Sequence, residues 1–146
     1  MKLLLLLACV GIALSAVPIR LQSYSVSGRL LCGDEPAKNV RVLLYDEDDL
    51  GIDDTLEEGR TDEDGRFELS GATREWTPID PRLKIYHRCL MEALSDTLAN
   101  WANCQREWVM RLSTSYTTKG RQPERTLDIG EWNLEMRQES ESHECV

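Results

Sequence analysis

Carboxylates are the side chains most able to do chemistry in this sequence, and they concentrate in one short segment. Residues 46–64 contain eleven Asp and Glu residues and one Arg, a local charge of −10. Clustered carboxylates can supply the roughly six to eight oxygen ligands of a calcium ion, although the spacing does not match an EF-hand loop. We predict no resident metal. The candidate calcium ligands in this segment are Asp46, Asp48, Asp49, Asp53 and Asp54.

Two other interpretations of the acidic segment stay open. Its charge can steer and dock a basic partner, with the same five aspartates as the binding surface. Alternatively, residues 46–64 form a solvated loop whose repulsion keeps strand edges from aggregating. The solvated loop is the favoured interpretation.

Histidine is the other residue type that could provide catalysis near neutral pH, and the chain has two, His87 and His143. His87 shares one face of a predicted strand with the apolar residues Leu83 and Ile85. This position indicates that His87 is a partly buried structural residue. His143 lies in a polar C-terminal stretch. The sequence has no G-x-S-x-G, H-E-x-x-H or glycine-rich phosphate motif. We therefore predict no catalytic residue, no cofactor and no enzymatic activity.

The N-terminus has the features of a secretory signal peptide over residues 1–15. Lys2 precedes a short apolar run, and Ala13-Leu14-Ser15 provides the small residues of a cleavage site. The run is too short for a membrane-spanning helix, so we predict a secreted protein that does not span the membrane.

Removal of the signal peptide places the whole charge excess in the acidic segment. Cleavage leaves 16 Lys and Arg against 26 Asp and Glu, a charge of 16 − 26 = −10. Outside residues 46–64 the mature chain is therefore neutral. This balance, with no basic patch in the sequence, argues against nucleic acid as a partner.

Cysteines add a constraint on the mature chain. Cleavage removes Cys9 and leaves Cys32, Cys89, Cys104 and Cys145. An even number in an exported domain predicts two disulfides. Three pairings are compatible with four cysteines, and the residues alone do not choose between them.

Period-two alternation of apolar and polar residues runs through most of the mature chain, which predicts strands with one buried face. With the turns between them, these segments predict an all-β sandwich of seven or eight antiparallel strands. We expect the domain to span residues 22–138. An N-terminal leader of residues 16–21 would precede it, and a C-terminal tail of residues 139–146, tethered by Cys145, would follow.

One segment departs from the strand pattern. Leu90, Leu94, Leu98 and Trp101 are spaced by four, four and three residues, which predicts an amphipathic helix near residues 91–101. Its apolar face is expected to cover the sandwich, since exposed apolar stripes are uncommon on soluble monomers. The alternative is a partner-binding helix with Leu94 and Trp101 at the contact.

Several short motifs follow one another over nearly the whole mature chain. They are Val26-Ser27-Gly28-Arg29-Leu30-Leu31-Cys32-Gly33, residues 36–44, residues 62–71, Ile79-Asp80-Pro81, residues 83–89, Cys104-Gln105-Arg106, residues 126–130 and Cys145. In order and spacing they resemble the nematode transthyretin-like family of secreted proteins. The resemblance implies a transthyretin-like sandwich of two antiparallel sheets, an extracellular location and no established catalytic chemistry.

The resemblance and the motif search together predict a secreted, non-enzymatic binding or adaptor protein. Its partner would be an extracellular protein, a lipid or a small apolar ligand. The alternatives are an enzyme like 5-hydroxyisourate hydrolase, which has the same sandwich, and a carrier of a hormone or lipid. That hydrolase relies on several His and Arg residues and on a Tyr-Arg-Gly-Ser C-terminus, whereas this sequence ends His143-Glu144-Cys145-Val146.

The family pattern and the strand layout also suggest a disulfide pairing. Cys89–Cys104 would close the base of the helical connection, and Cys32–Cys145 would tie the tail to the first strand. Closing such loops typically stabilises a protein by about 2–4 kcal/mol.

Overall fold

A computed structural model describes residues 18–49, 51–91 and 104–145. The described residues form ten strands and a 3₁₀ turn at Thr114–Tyr116. The strands are β1 (Arg20–Cys32), β2 (Glu35–Pro36), β3 (Arg41–Asp46), β4 (Asp54–Arg60), β5 (Arg66–Glu75), β6 (Pro81–His87), β7 (Cys104–Arg111), β8 (Thr118–Lys119), β9 (Leu127–Asn133) and β10 (Ser142–Cys145).

The strands pair into two sheets. In the first sheet, β1 is antiparallel to β2, β5 and β8 and parallel to β9. The second sheet has the order β10–β7–β6–β3–β4, and each neighbouring pair is antiparallel. The predicted all-β sandwich is confirmed, and the pairing of β1 with β9 is its one parallel contact among the described strands.

The alternation in the sequence places the core between the sheets. Inward-facing side chains of β1, β3, β6 and β7 have an exposed fraction of 0%: Tyr24, Val26, Leu30, Val42, Leu44, Leu83, Ile85 and Trp108. Burying one large apolar side chain contributes about 1.5–3 kcal/mol relative to leaving it in water. The contact between the two inner faces is therefore the main source of stability.

Gly28 leaves the space that β9 needs beside β1. A Cβ atom at this position would lie 2.7 Å from Cγ1 of Ile129 and 3.0 Å from Cε1 of Phe67. A side chain at residue 28 would therefore displace the side chain of Ile129 on β9 or of Phe67 on β5. A glycine in a strand interior often marks such a close approach.

Residues 54–60 of the acidic segment form a strand. β4 pairs with β3 and forms one edge of the second sheet, so the expectation of a loop over residues 46–64 is wrong for this part. A register shift between Leu44 and Tyr45 interrupts the regular alternation opposite β4. Leu56 is the β4 side chain that packs on the core. A single apolar residue among acids gave too weak a pattern to reveal the strand.

Both ends of the predicted domain need adjustment. β1 begins at Arg20, inside the segment predicted as a leader. The C-terminal tail contains β10, which pairs with β7 and so belongs to the second sheet. Cys145 does tether the tail, but the sandwich extends beyond the predicted limit at residue 138.

The predicted disulfide pairing is wrong. The bonds are Cys32–Cys89 and Cys104–Cys145. Antiparallel pairing of β10 with β7 places Cys145 directly opposite Cys104, which brings their side chains within bonding range. Cys32 ends β1 and Cys89 follows β6, so the other bond joins the two sheets. The family pattern and the strand layout favour Cys89–Cys104, but the register between β7 and β10 decides which sulfur atoms meet.

Two sequence predictions fall on other parts of the chain. The signal peptide over residues 1–15 lies outside the described residues. So does nearly all of the helix predicted near residues 91–101, including Leu94 and Trp101. Among the residues that the structure describes, no helix is both long and apolar enough to cross a membrane.

Peptide mapping of the unreduced protein is expected to link Cys32 to Cys89 and Cys104 to Cys145. Trypsin alone does not separate this pairing from Cys32–Cys104 with Cys89–Cys145, because Cys89 and Cys104 share one tryptic peptide, residues 89–106. A second cleavage after Glu92 places them on different peptides. A Cys89–Cys104 bond in protein with its free thiols blocked would contradict this fold.

Candidate functional site

The candidate calcium ligands fall into a buried and an exposed group. Asp46 ends β3 and is buried, while Asp48 in the following loop and Asp54 at the start of β4 are half-buried. Asp49 and Asp53 are exposed. The five aspartates therefore do not form one ligand set.

Glu75 joins the buried group from the other sheet. Carboxylate oxygens of Asp46, Asp48 and Glu75 lie within 4.8 Å of one another. The Thr73 hydroxyl donates a 3.0 Å hydrogen bond to Asp54 Oδ2, which holds the end of β5 against the start of β4. The sequence around Glu75 carries no signal for this role, because the contact arises only when the two sheets pack.

The charges at this corner of the sandwich repel one another. Asp46 is 1% exposed, and burial raises the pKa of its carboxyl group to about 6, with further contributions from Asp48, Asp54 and Asp80. The pKa of Glu75 is also raised, by burial, by a hydrogen bond with Asp54 and by the charges of Asp48 and Asp46. We call Asp46, Asp48 and Glu75 the buried carboxylate cluster.

Asp46 has only one of its two oxygens in use. Oδ1 accepts a 2.6 Å hydrogen bond from the Asp80 backbone N–H. Oδ2 is buried and has no hydrogen-bond partner among the described residues. A buried carboxylate oxygen without a partner is costly, so a proton or a cation bound at this atom would stabilise the fold.

The exposed carboxylates extend along β4 and the loops at its two ends. We call them the acidic edge: Asp49, Asp53, Glu57, Glu58, Asp62, Glu63 and Asp64. Some of them have structural partners. Glu58 binds Arg41 at 2.8 Å, Glu57 accepts a hydrogen bond from the Ser70 backbone N–H, and Asp62 accepts from the N–H groups of the β4–β5 turn.

His87 is a structural residue. Its exposed fraction is 3%, its Nδ1 accepts a 3.2 Å hydrogen bond from the Cys89 N–H, and its ring meets the Trp108 ring edge-on at 5.2 Å. Burial, together with the charge of Arg106, lowers the pKa of His87 to about 4. The burial predicted for this side chain is confirmed, and at neutral pH the imidazole is uncharged and shielded from solvent.

His143 does not combine with His87. It is exposed on β10 and lies directly across from Arg106 of β7, while His87 lies on the other side of Arg106 on β6. Two strand spacings of about 4.8 Å each separate the two histidines. The guanidinium-bearing residue between them prevents a shared acid–base site.

Arg106 forms a buried polar network that sequence reasoning missed. Its Nε and Nη2 donate to the two carboxylate oxygens of Glu141 at 2.7 Å each. Its remaining N–H groups donate to the backbone carbonyls of Cys89, Leu134 and Met136. Arg106 lowers the pKa of Glu141 to about 2. The network fastens the C-terminal segment to β7 beside both disulfides.

A basic cleft lies at the opposite end of the second sheet from the buried carboxylate cluster. Its volume is about 290 Å³ and its lining includes Lys38, Arg41, Arg60 and Arg88. Arg41 also packs over the ring of Tyr86 at 4.5 Å. The sequence shows no basic run, yet strand pairing gathers four cations. Lys38 and Arg41 are each paired with a glutamate, which reduces the net charge of the cleft.

Comparison with known proteins gives consistent matches. Residues 27–112 match the model of the transthyretin-like family. Transthyretin-like protein 46 of Caenorhabditis elegans is 44% identical over 90% of this chain and 68% of its own length. Transthyretin-like protein 33 of the same organism is 40% identical over 96% of each chain, and transthyretin-like protein 5 is 38% identical over 100% and 99%.

Among solved structures, a 9R-lipoxygenase from Cyanothece aligns with 77% of this chain and 16% of its own. The identity is 23% and the TM-score 0.39. A likeness this low supports no conclusion about fold or function.

Glu141→Gln is expected to destabilise the protein by about 3–5 kcal/mol, because it leaves the buried Arg106 charge without a counter-ion. The lowered pKa of Glu141, about 2, adds a pH dependence. Ionised Glu141 stabilises the fold fully above its unfolded pKa near 4.5. That contribution is lost as the pH falls toward 2. Glutamine does not titrate, so the free energy of unfolding of the Gln variant should not show this decrease.

Urea unfolding of the two proteins from pH 7 to pH 2.5 measures both effects. Glu139→Gln is the matched control, since Glu139 is exposed and its replacement should change stability by no more than about 0.5 kcal/mol. Equal unfolding free energies for Glu141→Gln and Glu139→Gln would show that the network contributes nothing.

Proposed function

This chain belongs to the transthyretin-like family, and from that premise we propose that it is an exported, non-enzymatic binding protein that engages a basic extracellular protein through the acidic edge. One observation carries the proposal. The charge excess of the mature chain is gathered along β4, an edge strand of the second sheet, and the loops beside it. The remainder of the chain is neutral, so approach of a basic partner would be directed to this surface.

Export is supported by two features of the chain. Residues 1–15 have the composition of a cleaved signal peptide. The two disulfides are of the kind that forms and persists in oxidising compartments. Together they favour an extracellular protein, with the sandwich as its folded domain.

A binding role is favoured over the two alternatives by the state of the interior. A hydrolase of the hydroxyisourate type would need histidines that act together, whereas His87 is buried and uncharged at neutral pH and exposed His143 is separated from it by Arg106. A carrier would need space between the sheets, and there Trp108 and Tyr24 are packed with 0% exposure. The surface, rather than the interior, is therefore where a ligand is expected.

Edge protection is the competing explanation of the same carboxylates. Charged side chains on an edge strand discourage pairing with a second chain. The two explanations differ in what neutralisation does: it weakens a partner complex if the edge is a docking surface, and it promotes self-association if the edge is only protective.

The test is a triple variant, Asp49→Asn, Asp53→Asn and Asp64→Asn, in the disulfide-bonded mature protein. These side chains are exposed, and Asn at residue 53 can still accept the hydrogen bond that Asp53 receives from the Asp48 N–H. Glu57 and Glu58 stay unchanged because both hold neighbouring strands. Capture of basic proteins from extracellular fluid of the source should fall about tenfold or more at low salt. The difference should shrink near 0.15 M salt, where the screening length is about 8 Å.

A matched control separates local charge from net charge. Asp34→Asn, Glu124→Gln and Glu139→Gln change the charge by the same amount at exposed sites outside the acidic edge. The control should retain the partner. Equal recovery by the triple variant and the wild type would contradict the proposal, and concentration-dependent association of the triple variant alone would favour edge protection.

A further inference from the structure

We infer that the buried carboxylate cluster, Asp46, Asp48 and Glu75, is a calcium site that joins the two sheets of the sandwich. Asp46 comes from the end of β3 and Asp48 from the loop that follows, while Glu75 comes from the end of β5 in the other sheet. The inference does not rest on the docking role of the acidic edge, which uses different residues.

The geometry suits a single ion. The carboxylate oxygens of the three residues lie within 4.8 Å of one another. Calcium binds oxygen at about 2.3–2.6 Å, so two ligands on opposite sides of one ion lie about 4.6–5.2 Å apart. Every pair in the cluster can therefore touch a common calcium ion.

Asp46 supplies the observation that distinguishes this cluster from ordinary surface acids. The side chain is 1% exposed, and Oδ2 has no hydrogen-bond partner among the described residues. Its Oδ1 is held by the Asp80 N–H at 2.6 Å, which fixes the orientation of the carboxylate. Oδ2 of Asp46 is therefore held in place, buried and without a partner, and two further carboxylates lie beside it. A calcium ion bound to all three carboxylates would satisfy this oxygen.

The donor chemistry selects the metal. All three ligands offer carboxylate oxygen, which suits a hard cation rather than zinc or copper. Calcium tolerates irregular coordination, whereas magnesium requires near-ideal octahedral geometry at about 2.0–2.1 Å. Extracellular modules bind calcium with dissociation constants of about 10⁻⁴–10⁻³ M, and a site with three carboxylates and a partly exposed loop fits that range.

The neighbouring cation does not replace the metal. Arg82 of β6 lies across from Tyr45, next to Asp46, and its guanidinium binds Glu47 and Asp80. The charges that act most strongly on Asp46 are those of Asp48, Asp54 and Asp80, all acidic. A bound dication would offset this repulsion and hold β3 and β5 together.

Isothermal titration with calcium chloride at pH 7.5 and physiological salt tests the site in the disulfide-bonded mature protein, alongside thermal unfolding with and without calcium. The wild type should bind calcium with a dissociation constant of about 10⁻⁴–10⁻³ M. At a tenfold excess of calcium over that constant, the unfolding equilibrium constant should fall about tenfold. Asp46→Asn with Glu75→Gln should abolish both effects.

The control is Asp49→Asn with Asp64→Asn, which removes the same charge from the exposed part of the acidic segment. It should bind calcium as the wild type does. Should the double site variant fail to fold, Glu75→Gln alone should still weaken binding about tenfold or more. No binding by the wild type, or unchanged binding by the site variants, would overturn the inference, as would equal loss in the control. If a variant no longer binds a basic partner but still binds calcium, the result bears on the docking role of the acidic edge and leaves the calcium inference in place.

Discussion

Burial of the inner face of β1 is the constraint on which the rest of the sandwich depends. β1 spans Arg20–Cys32 and pairs with four other strands. Both of its edges are therefore occupied, and its inner face contributes Tyr24, Val26 and Leu30 to the core with no exposure. Gly28 permits β9 to lie close beside it. The second sheet packs against this central strand, and Cys32–Cys89 joins the two sheets at one end.

The same packing divides the acidic segment into parts with different chemistry. Where the partly buried Leu56 of β4 packs against the core, the start of β4 approaches the end of β5, and Asp46 and Glu75 are brought into one corner. The carboxylates of the acidic edge face solvent along β4 and the loops at its two ends. A sequence average of charge therefore hides two environments: a buried cluster that lacks counter-charge, and an exposed surface able to steer a partner. At the other end of the sheet, Lys38 and Arg41 of the basic cleft pair with Glu63 and Glu58 of the acidic edge.

Local pattern was sufficient for the fold class and insufficient for contacts between distant residues. Alternation identified the strands that carry His87 and Trp108, because one buried face leaves a period of two in the sequence. It did not reveal β4 or β10, whose residues are mostly polar. The disulfides, the Arg106–Glu141 network and the role of Glu75 depend on strand register and on the packing of one sheet against the other. Strand register and sheet packing produce no pattern among residues that are neighbours in the sequence. The disulfides, the Arg106–Glu141 network and the role of Glu75 could therefore not be predicted from the sequence.

The claim at the centre of this account is that the corner formed by β3 and β5 holds a calcium ion. Its most direct test is an anomalous difference map from crystals of the mature protein grown with calcium and measured at a long wavelength. The account predicts one peak at about 2.3–2.6 Å from oxygens of Asp46, Asp48 and Glu75. The account would be contradicted if the anomalous difference map had no peak between these three residues. In that case the Asp46 carboxyl group would instead be hydrogen-bonded to Glu75 or Asp48 through a shared proton.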